Sequence, residues 1–152
     1  MDWGVHLPHL GRQVDRQTLM DFAQEIERLG CHSGWVSDHI CWPAEIQSKY
    51  PYTDDGWLDP ISTMTFVAAC TETLRLGSTV LILPYRMPVQ TAKQIASLDV
   101  LSGGRAILGV GVGWMAEEAA ILNMPWDQRG KRADEQLEIF RRLFTEAEPS
   151  FD

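Results

Sequence analysis

The chain has 152 residues, of which 45% are hydrophobic and 22% charged, the composition of an ordinary soluble globular protein long enough for one domain with a real core. Its formal net charge of −8 argues against binding a phosphate backbone, which needs a basic face. Cys31, Cys41 and Cys70 lack C-x-x-C spacing, the N-terminus has no basic segment leading into a long apolar one, and no apolar run approaches the roughly 18 residues of a membrane span; the expectation is a cytoplasmic protein with isolated thiols, no leader and no membrane segment.

The first strand is predicted over Trp3–Leu7, closed by Pro8. Asp15 is placed to cap a helix whose apolar residues, Leu19, Phe22, Ala23, Ile26 and Leu29, follow the helical period, and Gly30 supplies its stop. A second short strand covers Gly34–Ser37. Asp38 to Trp57 then reads as a long loop containing Pro43, Pro51, Gly56 and the aromatics Trp42, Tyr50, Tyr52 and Trp57. Loops of that length in compact domains are usually functional or disordered, and the aromatics favour one packed over something. Asp59-Pro60 joins an N-cap to a proline at the first helical position, which predicts a helix running to about Thr71. Leu74–Leu83 is aliphatic and β-branched, as a strand buried on both faces requires. Pro88 opens the next helix, with Val89, Ala92, Ile95 and Ala96 inward and Ser102-Gly103-Gly104 as its end. A fourth strand, Arg105–Val110, runs into Gly111-Val112-Gly113-Trp114. A short helical stretch near Glu117–Leu122 follows. The last helix starts at Asp127 or a neighbour and carries the stripe Leu137, Phe140, Leu143 and Phe144.

Four strand-then-helix units therefore open near Trp3, Gly34, Leu74 and Arg105, at regular but unequal spacing. Such alternation means a parallel sheet, because parallel strands need long crossovers, usually helical. The fold class is α/β. A closed (β/α)8 barrel needs eight such units and about 250 residues, so residues 1–152 correspond to a (β/α)4 half barrel, read here as one truncated domain. Open edges on the first and fourth strands make self-association the expectation.

In parallel α/β folds the site forms at the carboxyl ends of the strands. Those ends carry His6 and His9, then Asp38-His39, then Pro84-Tyr85-Arg86, then Gly111–Trp114. Asp38-His39 is the leading catalytic pair, since a histidine exchanges protons near neutral pH and an adjacent carboxylate can support it. The plainer alternative is that Asp38 caps a turn and His39 is a satisfied loop residue. Gly109-x-Gly111-x-Gly113 fails the G-x-G-x-x-G spacing of dinucleotide sites. It serves either close approach of a flat ligand or tight packing within a barrel. His6 and His9 sit on an extended segment that would point them to opposite faces, so no metal site is expected. The tryptophans read as packing rather than a nucleic-acid platform, and Arg129, Lys131 and Arg132 as a solvated helix face.

Five segments occur in an order that is more specific than any one of them: Gly34-Trp35-Val36-Ser37-Asp38-His39, Leu74-Arg75-Leu76-Gly77-Ser78-Thr79-Val80, Ser102-Gly103-Gly104-Arg105, Leu108-Gly109-Val110-Gly111-Val112-Gly113-Trp114, and Arg129-Gly130-x-Arg132-x-Asp134-Glu135. Together they resemble the bacterial luciferase-like monooxygenase superfamily, especially its coenzyme F420-dependent oxidoreductases, over the chain from Trp3 to Phe151. The resemblance implies a TIM barrel whose N-terminal half this chain supplies, with a deazaflavin or flavin at the strand carboxyl ends. It implies that Asp38 contacts the cofactor and that His39 is a proton donor or an electrostatic group near the ring. It implies a non-prolyl cis peptide at Thr79-Val80 backing the ring, and cofactor-lining roles for Ile82, Val112 and Gly113. In the sugar-phosphate dehydrogenases of that family an acidic residue follows the glycine run; here Trp114 stands there, and the acid role has no counterpart at that position.

The function expected from the resemblance is hydride transfer between F420 and a small apolar organic substrate, the apolar preference resting on the aromatic segment Trp42–Trp57. The alternatives are an FMN-dependent monooxygenase and an inactive half-barrel fragment. A metal-dependent barrel hydrolase trails both.

Overall fold

The structure is a computed structural model describing residues 1–11, 14–47, 49 and 56–151. Its elements, in chain order, are β1 (Gly4–His6), α1 (Arg16–Arg28), β2 (Ser33–Val36), α2 (Ala44–Gln47), α3 (Pro60–Cys70), β3 (Arg75–Ser78), β4 (Leu81–Ile82), α4 (Pro88–Ser102), β5 (Ala106–Ile107), β6 (Val110–Gly111), α5 (Ala116–Ile121) and α6 (Arg129–Thr145). The strands β1-β2-β3-β5 form one parallel sheet, and β4 pairs in parallel with β6. This is the predicted half barrel of four parallel strand-helix units.

Local chemistry starts the helices where expected. The Asp15 side chain accepts from the Thr18 amide at 2.7 Å, and that of Asp59 accepts from the Ser62 amide at 2.9 Å ahead of Pro60. Gly103, at φ +69°, ends α4 in the left-handed conformation that glycine adopts without a Cβ penalty. The short helix α2 lies inside the segment read as loop; Tyr50, Pro51 and Tyr52 of that segment lie outside the described residues.

The pairing register sorts the sheet into two faces. Val5, Gly34, Leu76 and Ala106 form one row, and His6, Trp35, Gly77 and Ile107 the next. Val5, Leu76 and Ala106 pack with Leu19, Ala23 and Ile26 of α1 and Met64, Val67 and Ala68 of α3, so the first row faces the helices. The second row faces the barrel interior, because adjacent residues alternate sides. There Trp35 lies across Gly77, where an added Cβ would fall 2.5 Å from the indole. A second core joins Leu81 and Leu83 to Ala92 and Ile95 of α4 and Ala133 and Phe140 of α6.

Two predicted strands are each broken in two. Leu74–Leu83 splits into β3 and β4, and Arg105–Val110 yields β5 and then β6. At the break the Ser78 hydroxyl donates to the Gly109 carbonyl at 2.8 Å and the Gly109 amide donates back at 3.2 Å, so a side chain replaces the ladder. Pairing resumes where the Leu81 amide donates to the Gly109 carbonyl at 2.8 Å. Four residues assigned inward are exposed: Leu29, Val89, Leu137 and Phe144. Leu29 and Val89 sit at helix ends, beyond the reach of the core. On α6 the buried line is Ala133, Gln136 and Phe140, which turns Leu137 and Phe144 to its flank.

The end of the sheet opposite the strand carboxyl ends is held by two charged side chains. Arg105 donates to the carbonyls of Ala68, Thr71, Leu74 and Ser102 and to the Thr71 hydroxyl, over 2.6 to 3.0 Å, capping α3. Glu27 of α1 accepts from the amides of Glu72, Thr73 and Leu74, the Thr73 contact being 2.6 Å. Burial alone would raise the Glu27 carboxyl, but the Thr73 and Leu74 amides outweigh it and hold it below the ordinary 4.5. A lowered folded-state value adds stability above the unfolded value, and that stability is lost as pH falls through the folded one. Glu27→Gln should therefore be less stable than the parent at neutral pH, with the gap closing below 4.5; urea midpoints across that range measure it, and a pH-independent gap would contradict the assignment.

Candidate active site at the strand carboxyl ends

β2 ends at Val36 and delivers Ser37, Asp38 and His39 in succession. Asp38 is fully buried at its side chain. Its Oδ2 accepts from the Ile82 amide at 2.9 Å and from Arg86 Nε at 3.1 Å, and its Oδ1 accepts from Arg86 Nη2 at 2.8 Å. This is a bidentate guanidinium-carboxylate pair, the geometry in which arginine binds best. Arg86 Nη2 also reaches Asp59 at 3.0 Å, and the Arg86 carbonyl accepts from Gln136 Nε2 at 3.1 Å. Burial would lower the Arg86 value, but Asp38 and then Asp59 outweigh it, and the guanidinium is held more firmly protonated. Asp59 is held low although burial opposes it, because the Ser62 amide and Arg86 favour its charge.

His39 follows directly. Its Nδ1 lies 2.8 Å from Oε2 of Glu118, a fully buried residue of α5 whose Oε1 accepts from the amides of Ile40 at 2.7 Å and Cys41 at 3.2 Å. Three indoles surround the imidazole edge-on, with ring centroids at 4.9 Å for Trp42, 4.8 Å for Trp57 and 5.8 Å for Trp114. Tyr85 donates its hydroxyl to the Met115 carbonyl at 3.1 Å, and burial followed by Glu118 pushes the phenol up to about 12.

A cleft of about 330 Å³ is lined by Ser37, Asp38, His39, Thr79, Val80, Ile82, Gly113 and Trp114. It brings together six sequence-derived site residues: Asp38, His39, Thr79, Val80, Ile82 and Gly113. The seventh, Val112, is exposed beside Gly113 and is not among the lining residues. The Thr79-Val80 peptide is cis. The glycine run packs against this segment: a Cβ on Gly109 would collide with the Ser78 carbonyl, and one on Gly111 would stand 2.5 Å from Val80 Cγ2. Tight packing thus accounts for Gly109 and Gly111, and by pressing on Val80 it shapes the wall of the cleft.

The histidines of the first strand end differ from expectation. His6 and His9 do not point to opposite faces; their rings lie 4.9 Å apart. The chain turns after β1, with the His9 amide donating to the Leu7 carbonyl at 2.9 Å, so strand alternation has already ended. His9 is a buried strut: Nδ1 donates to the Leu7 carbonyl at 3.0 Å, and Nε2 accepts from the Ser37 amide at 3.0 Å. Burial lowers its pKa, which keeps it neutral as that pattern needs. Among the described residues, no group of three or more His, Cys, Asp or Glu is arranged to hold a metal ion, and no helix is long and apolar enough to cross a membrane. Sequence reasoning assigned no role to Arg86 and missed Glu118. The only signal for Arg86 was its place after a strand end; Glu118 lies 79 residues from His39 and had none.

The family model for luciferase-like monooxygenases matches residues 3–152. An uncharacterised protein of Mycobacterium tuberculosis is 39% identical over 132 residues, covering 81% of this chain and 46% of that protein. An F420-dependent glucose-6-phosphate dehydrogenase of Amycolatopsis mediterranei is 31% identical over 145 residues, covering 91% of this chain and 41% of that protein. Among solved structures, the oxygenating constituent of 3,6-diketocamphane monooxygenase from Pseudomonas putida, in complex with FMN, is similar in fold with a TM-score of 0.81 at 20% identity, over 100% of this chain and 41% of that one. The chain spans less than half the length of these relatives.

The buried pair makes a sharp prediction. Arg86→Met leaves the Asp38 charge buried without its partner and should cost about 3–5 kcal/mol of stability, whereas adding Asp38→Asn should recover much of the loss. Urea unfolding of the two variants measures both, and a single variant as stable as the parent would contradict the assignment.

Proposed function

The chain belongs to the luciferase-like monooxygenase family, and we propose that its cleft serves an F420-dependent oxidoreductase acting on a small apolar organic substrate. The observation that carries this reading is the convergence of Asp38, His39, Thr79, Val80, Ile82 and Gly113 on one cleft at the strand carboxyl ends. The residues present fit a flat ring system. Val80 is 37% exposed at the cleft, an apolar side chain supported from behind by Gly111, and Ile82 adds a second apolar surface. When bound, the deazaflavin would supply or accept a hydride.

The chain's own side chains have separable tasks in this reading. His39 exchanges the proton that accompanies the hydride, as a histidine within reach of a substrate oxygen can near neutral pH. Trp42, Trp57 and Trp114 keep water from it and offer apolar surface to substrate. Asp38 uses three acceptor sites on Arg86 and Ile82, so a carboxylate with about four such sites has one left for a ring contact. Trp114, 53% exposed at the cleft, provides no acid, which favours an apolar alcohol, ketone or enone over a sugar phosphate. The family's naming for monooxygenases supports a second reading, an FMN-dependent monooxygenase. Because β1 and β5 are the outer strands of the sheet, self-association through them is part of the proposal.

Titration of the purified protein with F420 and with FMN, followed by cofactor fluorescence, tests the reading. Saturable binding of F420 in preference to FMN is expected; the reverse selects the second reading, and binding of neither overturns both. With F420 bound, apolar alcohols or ketones should turn over in preference to sugar phosphates. His39→Asn should lower turnover by about 100- to 10,000-fold, the usual scale of a lost general acid-base group, with cofactor binding kept.

A further inference from the structure

We propose that Glu118 is a positioning residue that holds His39 as the Nδ1–H tautomer, so that His39 exchanges its proton with a molecule in the cleft through Nε2. The inference rests on the reading of His39 as the proton-exchanging group and assigns the atom and the residue that selects it.

A carboxylate taken fully out of water is costly unless hydrogen-bonded. Glu118 is fully buried and meets three groups, all from consecutive residues: the Ile40 and Cys41 amides on Oε1, and His39 Nδ1 at 2.8 Å from Oε2. Backbone amides only donate, so Oε1 is fixed as the acceptor at that end. The other oxygen is then aimed at the imidazole, and a carboxylate oxygen accepts, so Nδ1 carries the hydrogen. With Nδ1 engaged behind the ring, Nε2 is the nitrogen through which protons pass. The other titratable neighbours do not compete for this task. Cys41 is pushed up by burial and by Glu118, Tyr85 is pushed up to about 12 by burial and by Glu118, and Asp38 is paired with Arg86.

A purely structural Glu118, anchoring the chain after β2, predicts the same contacts, and Glu118→Gln separates the two roles. Glutamine has the same length, and the two amides still require its carbonyl oxygen. Its NH2 must then face Nδ1, which becomes an acceptor, and the imidazole proton moves to Nε2. The anchor survives while the tautomer reverses.

The experiment is 15N NMR of histidine-labelled protein, with the His39 ring signals assigned by their absence in His39→Asn. The parent should show a protonated Nδ1 and an unprotonated Nε2 in the neutral ring, and Glu118→Gln the reverse. A parent with Nε2 protonated overturns the inference even if the variant does not fold, and so does an identical tautomer in the two proteins. With F420 bound, Glu118→Gln should lose turnover by up to about 10,000-fold, the scale on which a reversed tautomer disables a catalytic histidine, with F420 binding unchanged. A reversed tautomer with full turnover would instead overturn the role of His39 in proton exchange, and failure of the parent to bind F420 or FMN would overturn the functional reading while the NMR result stands.

Discussion

The pairing of Asp38 with Arg86 is the interaction on which the carboxyl end of the sheet depends. Asp38 is fully buried, and Arg86 reaches it with two nitrogens at 3.1 and 2.8 Å. The same arginine touches Asp59, the cap of α3, and its carbonyl holds Gln136 of α6. One residue therefore ties the exit of β2 to the exit of β4 and to two helices. A buried ion pair of this kind adds little over well-packed apolar groups, but losing one partner is costly. Its contribution here is position. His39 is the next residue along the chain, so the clamp determines where the imidazole emerges and the Glu118 contact determines which way it turns.

The two ends of the sheet divide the work. At one end Arg105 and Glu27 close backbone groups left open around the end of α3, and both are engaged with the fold alone. At the other, Asp38, His39, Thr79, Val80, Ile82 and Gly113 share a cleft. Parallel α/β barrels separate stability from chemistry in the same way. The break at Ser78 and Gly109 belongs to this division. It interrupts the regular ladder through a side chain, and past it Val80 lies against Gly111 of β6 and lines the cleft.

Features set by neighbouring residues were legible in the sequence. Asp15, Asp59-Pro60, Pro88 and Gly103 mark helix ends because a cap or a left-handed turn is decided within a few residues. The order of strands and helices followed from the same punctuation. The cleft residues were found by a different route: their types and spacing alone favoured an ordinary turn over a catalytic Asp38-His39 pair, and the resemblance over five ordered segments singled them out. What was illegible depends on distant partners. Leu137 and Phe144 have the period of buried residues, but α4 and the strands select the Ala133–Gln136–Phe140 line instead. The strand breaks need Ser78 to meet Gly109, and the approach of His6 to His9 needs the turn after β1. Glu118 enters the site only because α5 folds back over the start of the 38–57 segment.

The aromatic surroundings of His39 connect these observations. With Trp42, Trp57 and Trp114 at centroid distances of 4.9, 4.8 and 5.8 Å, the imidazole has little access to water, and a polar ring so enclosed needs a hydrogen-bond partner. Glu118 supplies one from behind, at 2.8 Å. An acid placed after the glycine run would instead stand in the cleft itself, available to a polar substrate. In this chain that position is an indole, and the carboxylate beside the histidine is buried and outside the lining of the cleft. The proposed proton exchange and the proposed preference for apolar substrates thus have one physical origin: the negative charge lies behind His39, and the surface offered in front is aromatic.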